Sequence, residues 1–258
     1  MSTKVTLKPL EAEDEEEPVM AEEDNSRKEV DLGNGSGVIY IPRFLSCHQS
    51  RDYLKYLNDH IPWTRPTIRV FGRPFLQPRE TCYVASKGLR EYVYSGYQPR
   101  AYSWEEFPPL TDILDAVRLL WPHTVICTLQ VHKAIPGTSF NSLLINRYNG
   151  GNDYVGWHAD DEEIYGPTPD IASVSFGCER DFFLKKKPSK IFRGKYGEDE
   201  SPSKRSKKPD DPEKHRFALK NGSLLVMRGN TQRDWLHSVP KRAKAVGMRI
   251  NLTFRHVL

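Results

Sequence analysis

The sequence predicts a mostly β fold with flanking helices, in which a double-stranded β-helix, or jelly roll, forms the core. Three observations point there. Beyond Pro136-Gly137 the chain is a series of short apolar runs: Phe140 to Tyr148, Ile171 to Gly177, Asp181 to Lys185, Leu224 to Met227 and Met248 to Val257. Turn signals such as Asn221-Gly222-Ser223 separate them, and no regular helical pattern lies between them. This argues for two packed antiparallel sheets and against a parallel sheet with crossover helices. A length of 258 residues suffices for one sizeable core, and β-rich domains of this size are often single.

Residues 1 to 31 hold 11 Asp and Glu against 4 Lys and Arg. Their few large apolar side chains cannot offset the entropy of ordering, so a disordered acidic tail is expected there, with one domain over residues 32 to 258. Val38-Ile39-Tyr40-Ile41-Pro42 reads as a strand, and Ser46 can cap a helix carrying Tyr53, Leu54, Leu57 and Ile61 at helical spacing. Trp63 to Tyr97 reads as strands joined by turns at Gly72, Pro74, Pro78, Gly88 and Gly96. A second helix is expected from Thr111, an N-cap before Asp112, with Ile113, Leu114, Val117, Leu120 and Trp121 on one face. Ile171–Gly177 and Asp181–Lys185 are expected to be neighbouring strands. Between residues 185 and 212 a basic loop interrupts the pattern; Lys185 to Lys208 alone carries 10 basic and 3 acidic residues. Its Pro202-Ser203-Lys204-Arg205-Ser206-Lys207-Lys208 suits a nuclear address or a phosphate contact, with a solvated insertion as the competing reading.

The formal net charge of +4 conceals an asymmetry: the tail carries −7 and the rest +11. A basic domain beside an acidic tail favours a polyanionic partner, against the plainer reading of two solubility features. The cysteines Cys47, Cys82, Cys127 and Cys178 form no Cys-x-x-Cys pair, which argues against a thiolate zinc site or a disulfide framework and for a reducing compartment. No apolar run approaches the roughly 18 residues that span a bilayer, and the N-terminus lacks the apolar core of a signal peptide. A soluble, non-secreted monomer is expected.

The chemistry centres on His158-Ala159-Asp160. In an extended strand, side chains two residues apart share a face, so this imidazole and carboxylate can share one metal ion. His237, in Trp235-Leu236-His237-Ser238, is the best third ligand. Two histidines and a carboxylate make the facial set that suits non-haem Fe(II) and leaves positions open for oxygen and a co-substrate. Alone, His158 would more often be a hydrogen-bonded structural histidine. In Arg249-Ile250-Asn251-Leu252-Thr253-Phe254-Arg255, four polar residues alternate with three apolar ones. Such a polar row in a core-like strand is costly unless paired, and a small dicarboxylate would pair with it through bidentate guanidinium contacts.

Six motifs in order, Asn-Arg-Tyr, His-x-Asp-Asp, Ala-Ser-Val-Ser-Phe-Gly, Gly-Ser-Leu-Leu, Trp-x-His-Ser-x-Pro and Arg-x-Asn-Leu-Thr-Phe-Arg, make residues 60 to 258 resemble the AlkB-type Fe(II)- and 2-oxoglutarate-dependent dioxygenases. The match is to the eukaryotic branch that repairs alkylated duplex DNA. The resemblance implies His158, Asp160 and His237 as catalytic iron ligands. It implies Asn146, Tyr148, Arg249, Thr253 and Arg255, with Asn251 in the same strand, as the 2-oxoglutarate site, both arginines taking carboxylates. It also implies a nucleotide-recognition lid over about residues 60 to 100. There Phe71, Gly72 and Arg73 resemble a hairpin finger filling the gap left by an extruded base, while Tyr92, Val93 and Tyr94 line the base pocket. Asp161 is implied to contact the damaged base, a second role being to orient a ligand. The sequence departs mildly where Tyr94 and Arg73 stand at positions often Phe and Lys.

The implied reaction uses Fe(II), 2-oxoglutarate and O2, with ascorbate as reductant, and oxidises the N-alkyl group of bases such as 1-methyladenine and 3-methylcytosine, with etheno adducts as further substrates. Formaldehyde is released and the base restored. The implied partner is alkylated DNA, duplex and single-stranded, and the implied location the nucleus. The alternatives are an RNA or single-strand demethylase of the same chemistry and a catalytically silent nucleic-acid-binding module.

Overall fold

The computed structural model describes residues 26–119, 140–188 and 212–258. Along the chain, the described strands are β1 (Lys28–Gly33), β2 (Ser36–Ile41), β3 (Thr67–Val70), β4 (Arg73–Leu76), β5 (Glu80–Ala85), β6 (Ala101–Tyr102), β7 (Ser142–Tyr148) and β8 (Val155–His158). They continue with β9 (Ile171–Gly177), β10 (Arg180–Lys186), β11 (Lys214–Leu219), β12 (Ser223–Gly229), β13 (Trp235–Val239) and β14 (Arg249–Arg255). The helices are α1 (Cys47–His60), α2 (Pro108–Leu119) and the single turn α3 (Thr231–Asp234).

The large sheet runs β1-β2-β12-β9-β14-β7-β5-β6, antiparallel except for β5 with β6, and the small sheet runs β11-β10-β13-β8. This is the expected jelly roll. The strand period of two divides central strands of the large sheet between two cores. In β12, Leu224 and Val226 join α1 and α2 on the outer face, whereas Leu225 and Met227 join Phe182, Leu184, Phe217 and Trp235 between the sheets. Each fully buried side chain of this size contributes about 1.5–3 kcal/mol.

Helix α1 starts where its cap predicts. Ser46 Oγ accepts the Gln49 N–H (3.2 Å) and Gln49 Oε1 accepts the Ser46 N–H (3.1 Å), a reciprocal box that satisfies two otherwise orphaned donors. Helix α2 begins at Pro108, one turn before the expected Thr111. A proline at the first helical position has no N–H to leave unpaired and a preset φ, so it starts the helix without a Thr cap. Of the expected face, Leu120 and Trp121 lie outside the described residues; Ile113, Leu114 and Val117 are buried with Leu110.

Four boundaries differ from the sequence reading. Lys28 to Asp31 are paired with β2 in strand β1, inside the stretch assigned to the tail, because Val30 and Leu32 pack inward; residues 1–25 lie outside the described set. β9 and β10 are not neighbours: one pairs with β12 and β14, the other with β11 and β13, since the turn at Cys178-Glu179 passes from one sheet to the other. The basic loop begins after Lys186, because Lys185 and Lys186 pair with β11 and β13; residues 189–211 lie outside the described set. The span 60–100 is not one lid, since β5 within it pairs with β7 in the large sheet.

Candidate active site

The site lies between the sheets. Cross-strand pairing of β8 with β13 sets His158 opposite His237, with ring centroids 4.1 Å apart. Strand β8 ends at His158, so Asp160 belongs to the loop beyond it and not to the strand the spacing suggested. Its carboxylate nevertheless returns to the histidines, with Asp160 Oδ1 3.8 Å from His158 Nε2. One ligand atom from each of His158, Asp160 and His237 lies within 4.8 Å of the others, the one such group of three among the described residues. His158 Nδ1 donates to the Gly156 carbonyl (2.9 Å), which fixes the tautomer and leaves Nε2 as a lone-pair donor.

Burial, joined by the neighbouring His158, pushes the His237 imidazole down to about 3, and burial also lowers His158 against the opposing pull of Asp160. Both rings are therefore neutral near pH 7, the state a metal ligand needs. Burial alone would raise the Asp160 carboxyl, but Arg255 and the two histidines outweigh it and hold the group well below the usual carboxylate range.

Strand β14 forms the polar wall. Its pairing with β7 sets Arg249 opposite Tyr148 and Asn251 opposite Asn146, and its pairing with β9 adds Ser173 and Ser175. Part of the polar row is satisfied internally: Arg249 Nη2 donates to Asn251 Oδ1 (2.8 Å) and Ser175 Oγ (3.0 Å), and Asn251 Nδ2 donates to Ser173 Oγ (3.0 Å) and Thr253 Oγ1 (3.2 Å). Arg249 Nε and Nη1 are buried with no partner. A buried guanidinium with two unpaired nitrogens is costly, and a carboxylate is the group that satisfies it. Arg255, which also lines the cavity, has a protein partner: its Nε (3.2 Å) and Nη2 (2.8 Å) both donate to Asp160 Oδ2.

The cavity, about 50 Å³, is lined by the three ligand candidates, by Asn146, Tyr148, Asn251, Thr253 and Arg255 and by apolar Leu144, Val155, Phe182 and Met227, with Tyr92 and Tyr94 on the lid side; Arg249 is buried beside it, bonded to Asn251. The profile of the 2OG-Fe(II) oxygenase superfamily matches residues 37–255. The chain belongs to that superfamily. Its cofactor is Fe(II) and its co-substrate 2-oxoglutarate, and the donor set fits both: neutral imidazoles and an ionised carboxylate for the metal, a half-satisfied buried arginine for the dicarboxylate.

This oxygenase is 62% identical over 234 residues to the DNA oxidative demethylase ALKBH2 of Arabidopsis thaliana, covering 90% of this chain and 70% of that one. It is 37% identical over 191 residues to the human protein of that name, covering 74% and 61%, so it spans less than two thirds of the human relative. The human alpha-ketoglutarate-dependent dioxygenase alkB homolog 3 is 35% identical over 223 residues, covering 86% and 66%. Among solved structures, OsALKBH1 superposes with a TM-score of 0.51 at 18% identity over 89% of this chain and all of that chain, a likeness of fold.

The remaining expected residues fall in two places. Tyr92 is buried against Tyr83, with ring centroids 5.0 Å apart, while Tyr94 is partly open on the cavity wall and Val93 is exposed. Phe71, Gly72 and Arg73 lie at the tip of the β3–β4 hairpin. Asp161, expected at the base, is 60% exposed and paired with Lys187 Nζ at 3.1 Å; it is absent from the cavity lining. Four contributors escaped the sequence reading. Arg79 Nε donates to Asn146 Oδ1 (2.7 Å), Gln232 accepts the Asp160 N–H and Lys187 holds the Asp161 carboxylate, and Glu162 has a buried, unpartnered Oε2. Glu162 alone left a trace, as the third carboxylate after His158. The others stand in turns far away in sequence.

Proposed function

We propose that this oxygenase is a nuclear DNA repair demethylase that removes N-alkyl groups from bases in duplex and single-stranded DNA. The observation that carries the reading is the placing of three potential ligands in one cavity with Tyr94 on its wall, backed by the half-satisfied Arg249 bonded to the lining Asn251, in a chain 62% identical to a DNA oxidative demethylase. In this reading His158, Asp160 and His237 hold the iron. Bound Fe(II) with 2-oxoglutarate supplies the oxidation of the N-alkyl carbon by O2, with ascorbate keeping the metal reduced. Arg249 takes one carboxylate of 2-oxoglutarate, supported by Asn146, Tyr148, Asn251 and Thr253. Arg255 acts chiefly through Asp160, holding Oδ2 so that Oδ1 faces the metal position.

An extruded base stacks on Tyr94 beside Tyr92 and Val93, and Asp161 turns toward its positive charge. Lesions such as 1-methyladenine and 3-methylcytosine cannot pair normally and flip more easily. Phe71 supports action on duplexes. It is 100% exposed, and it and Gly72 have φ of 49° and 76°, so both central residues of the hairpin turn are left-handed. For a bulky L-residue that conformation costs about 1–2 kcal/mol. A strained turn that displays an aromatic suits insertion between base steps, and Arg73 beside it suits a phosphate.

The test is repair of an oligonucleotide carrying 1-methyladenine, single-stranded and in duplex, with Fe(II) and ascorbate and with or without 2-oxoglutarate. Repair of both forms that requires 2-oxoglutarate is expected. Repair confined to single strands or RNA overturns the duplex reading, and no repair of any form overturns the enzyme reading.

A further inference from the structure

The ends of β8 and β13 leave the peptide of the metal carboxylate without sheet partners. Pairing of the two strands reaches His158 opposite His237 and goes no further, yet Asp160 is buried and its N–H must be satisfied. It donates to Gln232 Oε1 at 2.9 Å. Gln232 is 1% exposed, and its other end is also engaged, Nε2 donating to Met227 Sδ at 3.3 Å. The turn that carries it is anchored independently: Thr231 Oγ1 accepts the Gly37 N–H (3.1 Å) and donates to the Arg228 carbonyl.

A second contact joins the turn that carries Gln232 to the side chain next to Asp160. Lys187 Nζ donates to the Gln232 carbonyl (3.1 Å) and to Asp161 Oδ2 (3.1 Å), while its own N–H donates to the Asp234 carbonyl (2.8 Å). The backbone of Asp160 is thus held by α3, and its carboxylate by Arg255 from the opposite sheet. Fixing both the backbone and one oxygen determines where the remaining oxygen, Oδ1, points.

We propose that Gln232 is the positioning residue for Asp160, setting the ligand's backbone so that Oδ1 meets the ion held by the two histidines. This rests on the iron-site reading above. Gln232 does not touch the ion or the substrate; it acts through a hydrogen bond to the ligand's own N–H. Outer partners of metal ligands typically carry about 10–100-fold of metal affinity.

The test is titration of Mn(II), a redox-inert stand-in, into the metal-free full chain with saturating 2-oxoglutarate, reading free Mn(II) by electron paramagnetic resonance. Gln232→Met, near in shape but lacking the acceptor, is expected to weaken binding about 10–100-fold. Gln232→Glu, which keeps an acceptor oxygen at the same reach, is expected to stay near the wild-type affinity. Should Gln232→Met fail to fold, Gln232→Asn, one methylene short, provides the same contrast. Unchanged affinity without the acceptor overturns the proposal, as does an equal loss in Gln232→Glu. His158→Ala separates the two levels: if it binds Mn(II) as tightly as the wild type, the iron-site reading fails and the proposal with it, whereas lost binding in His158→Ala with unchanged binding in Gln232→Met overturns the role of Gln232 alone.

Discussion

In and beside the cavity, His237, Asp160, Arg249 and Arg255 are each at most 6% exposed; His237 comes from β13, Asp160 from the loop after β8 and both arginines from β14. In the β3–β4 hairpin every residue of β4 is exposed, Phe71 touches nothing, and the two strands form a sheet of their own. The hairpin is tied to the body by few bonds, among them Arg69 N–H to the Ser95 carbonyl (2.7 Å). Oxidation chemistry needs ligands whose positions are fixed before substrate arrives. Probing a duplex needs an apolar group left free of its own protein. Substitutions in the first region should therefore lower chemistry and stability together, and those in the second should change substrate choice without loss of stability.

The largest effect is expected at the ligands. His237→Ala should reduce 2-oxoglutarate-dependent repair of both substrate forms to the level of metal-free protein; retained turnover would place the metal elsewhere. Arg255→Met should also destabilise the metal-free protein, by about 3–5 kcal/mol in denaturant unfolding, because it strands a buried Asp160 carboxylate. Arg249→Leu removes charge-assisted hydrogen bonds worth about 1.5–3 kcal/mol each. The KM for 2-oxoglutarate should then rise at least about tenfold while the KM for DNA changes little.

Phe71→Ala sharpens the contrast from the other side. Repair of duplex should fall about tenfold, since the wedge offsets part of an unstacking cost of a few kcal/mol, with single-strand repair and thermal stability nearly unchanged. Equal losses on both substrates would break the comparison. Phe71→Asn relieves the left-handed strain and should raise stability by about 1 kcal/mol or less, measurable as a higher denaturant midpoint with poorer duplex repair.

The last expectation concerns pH. The His237 pKa is about 3 in the folded protein and about 6.5 when unfolded. Between these values the unfolded chain binds the proton and the native one does not, so stability is full above about pH 6.5 and falls as pH drops toward 3. The slope for this one residue is about 1.4 kcal/mol per pH unit. Metal-free His237→Leu should show a shallower loss between pH 7 and 5, whereas Phe71→Ala should leave the pH profile unchanged.

Much of this was legible in the chain because the relevant signals are local. The alternation in Arg249–Arg255, the Ser46 cap and the turn at Phe71-Gly72 each express a backbone period or a φ preference within a few residues; the His158/Asp160 pair was reached through a strand spacing that the structure does not keep. The start of α2 was misread because Pro108 initiates the helix without the polar cap that marks most N-termini. The separation of β9 from β10 was not legible because a change of sheet at a short turn leaves the same alternating pattern as a hairpin.

The sequence by itself determined the fold class, the superfamily motifs and the polar row of β14, since strand periodicity decides which residues of one strand share a face. Only the tertiary structure decided how those side chains divide their bonds. It showed Arg255 on Asp160 with Arg249 left half-satisfied, Asp161 turned to Lys187, and Gln232 beneath Asp160. These are pairings between residues as far as 95 positions apart. A donor's choice among acceptors depends on distances that strand packing sets and that no local spacing encodes.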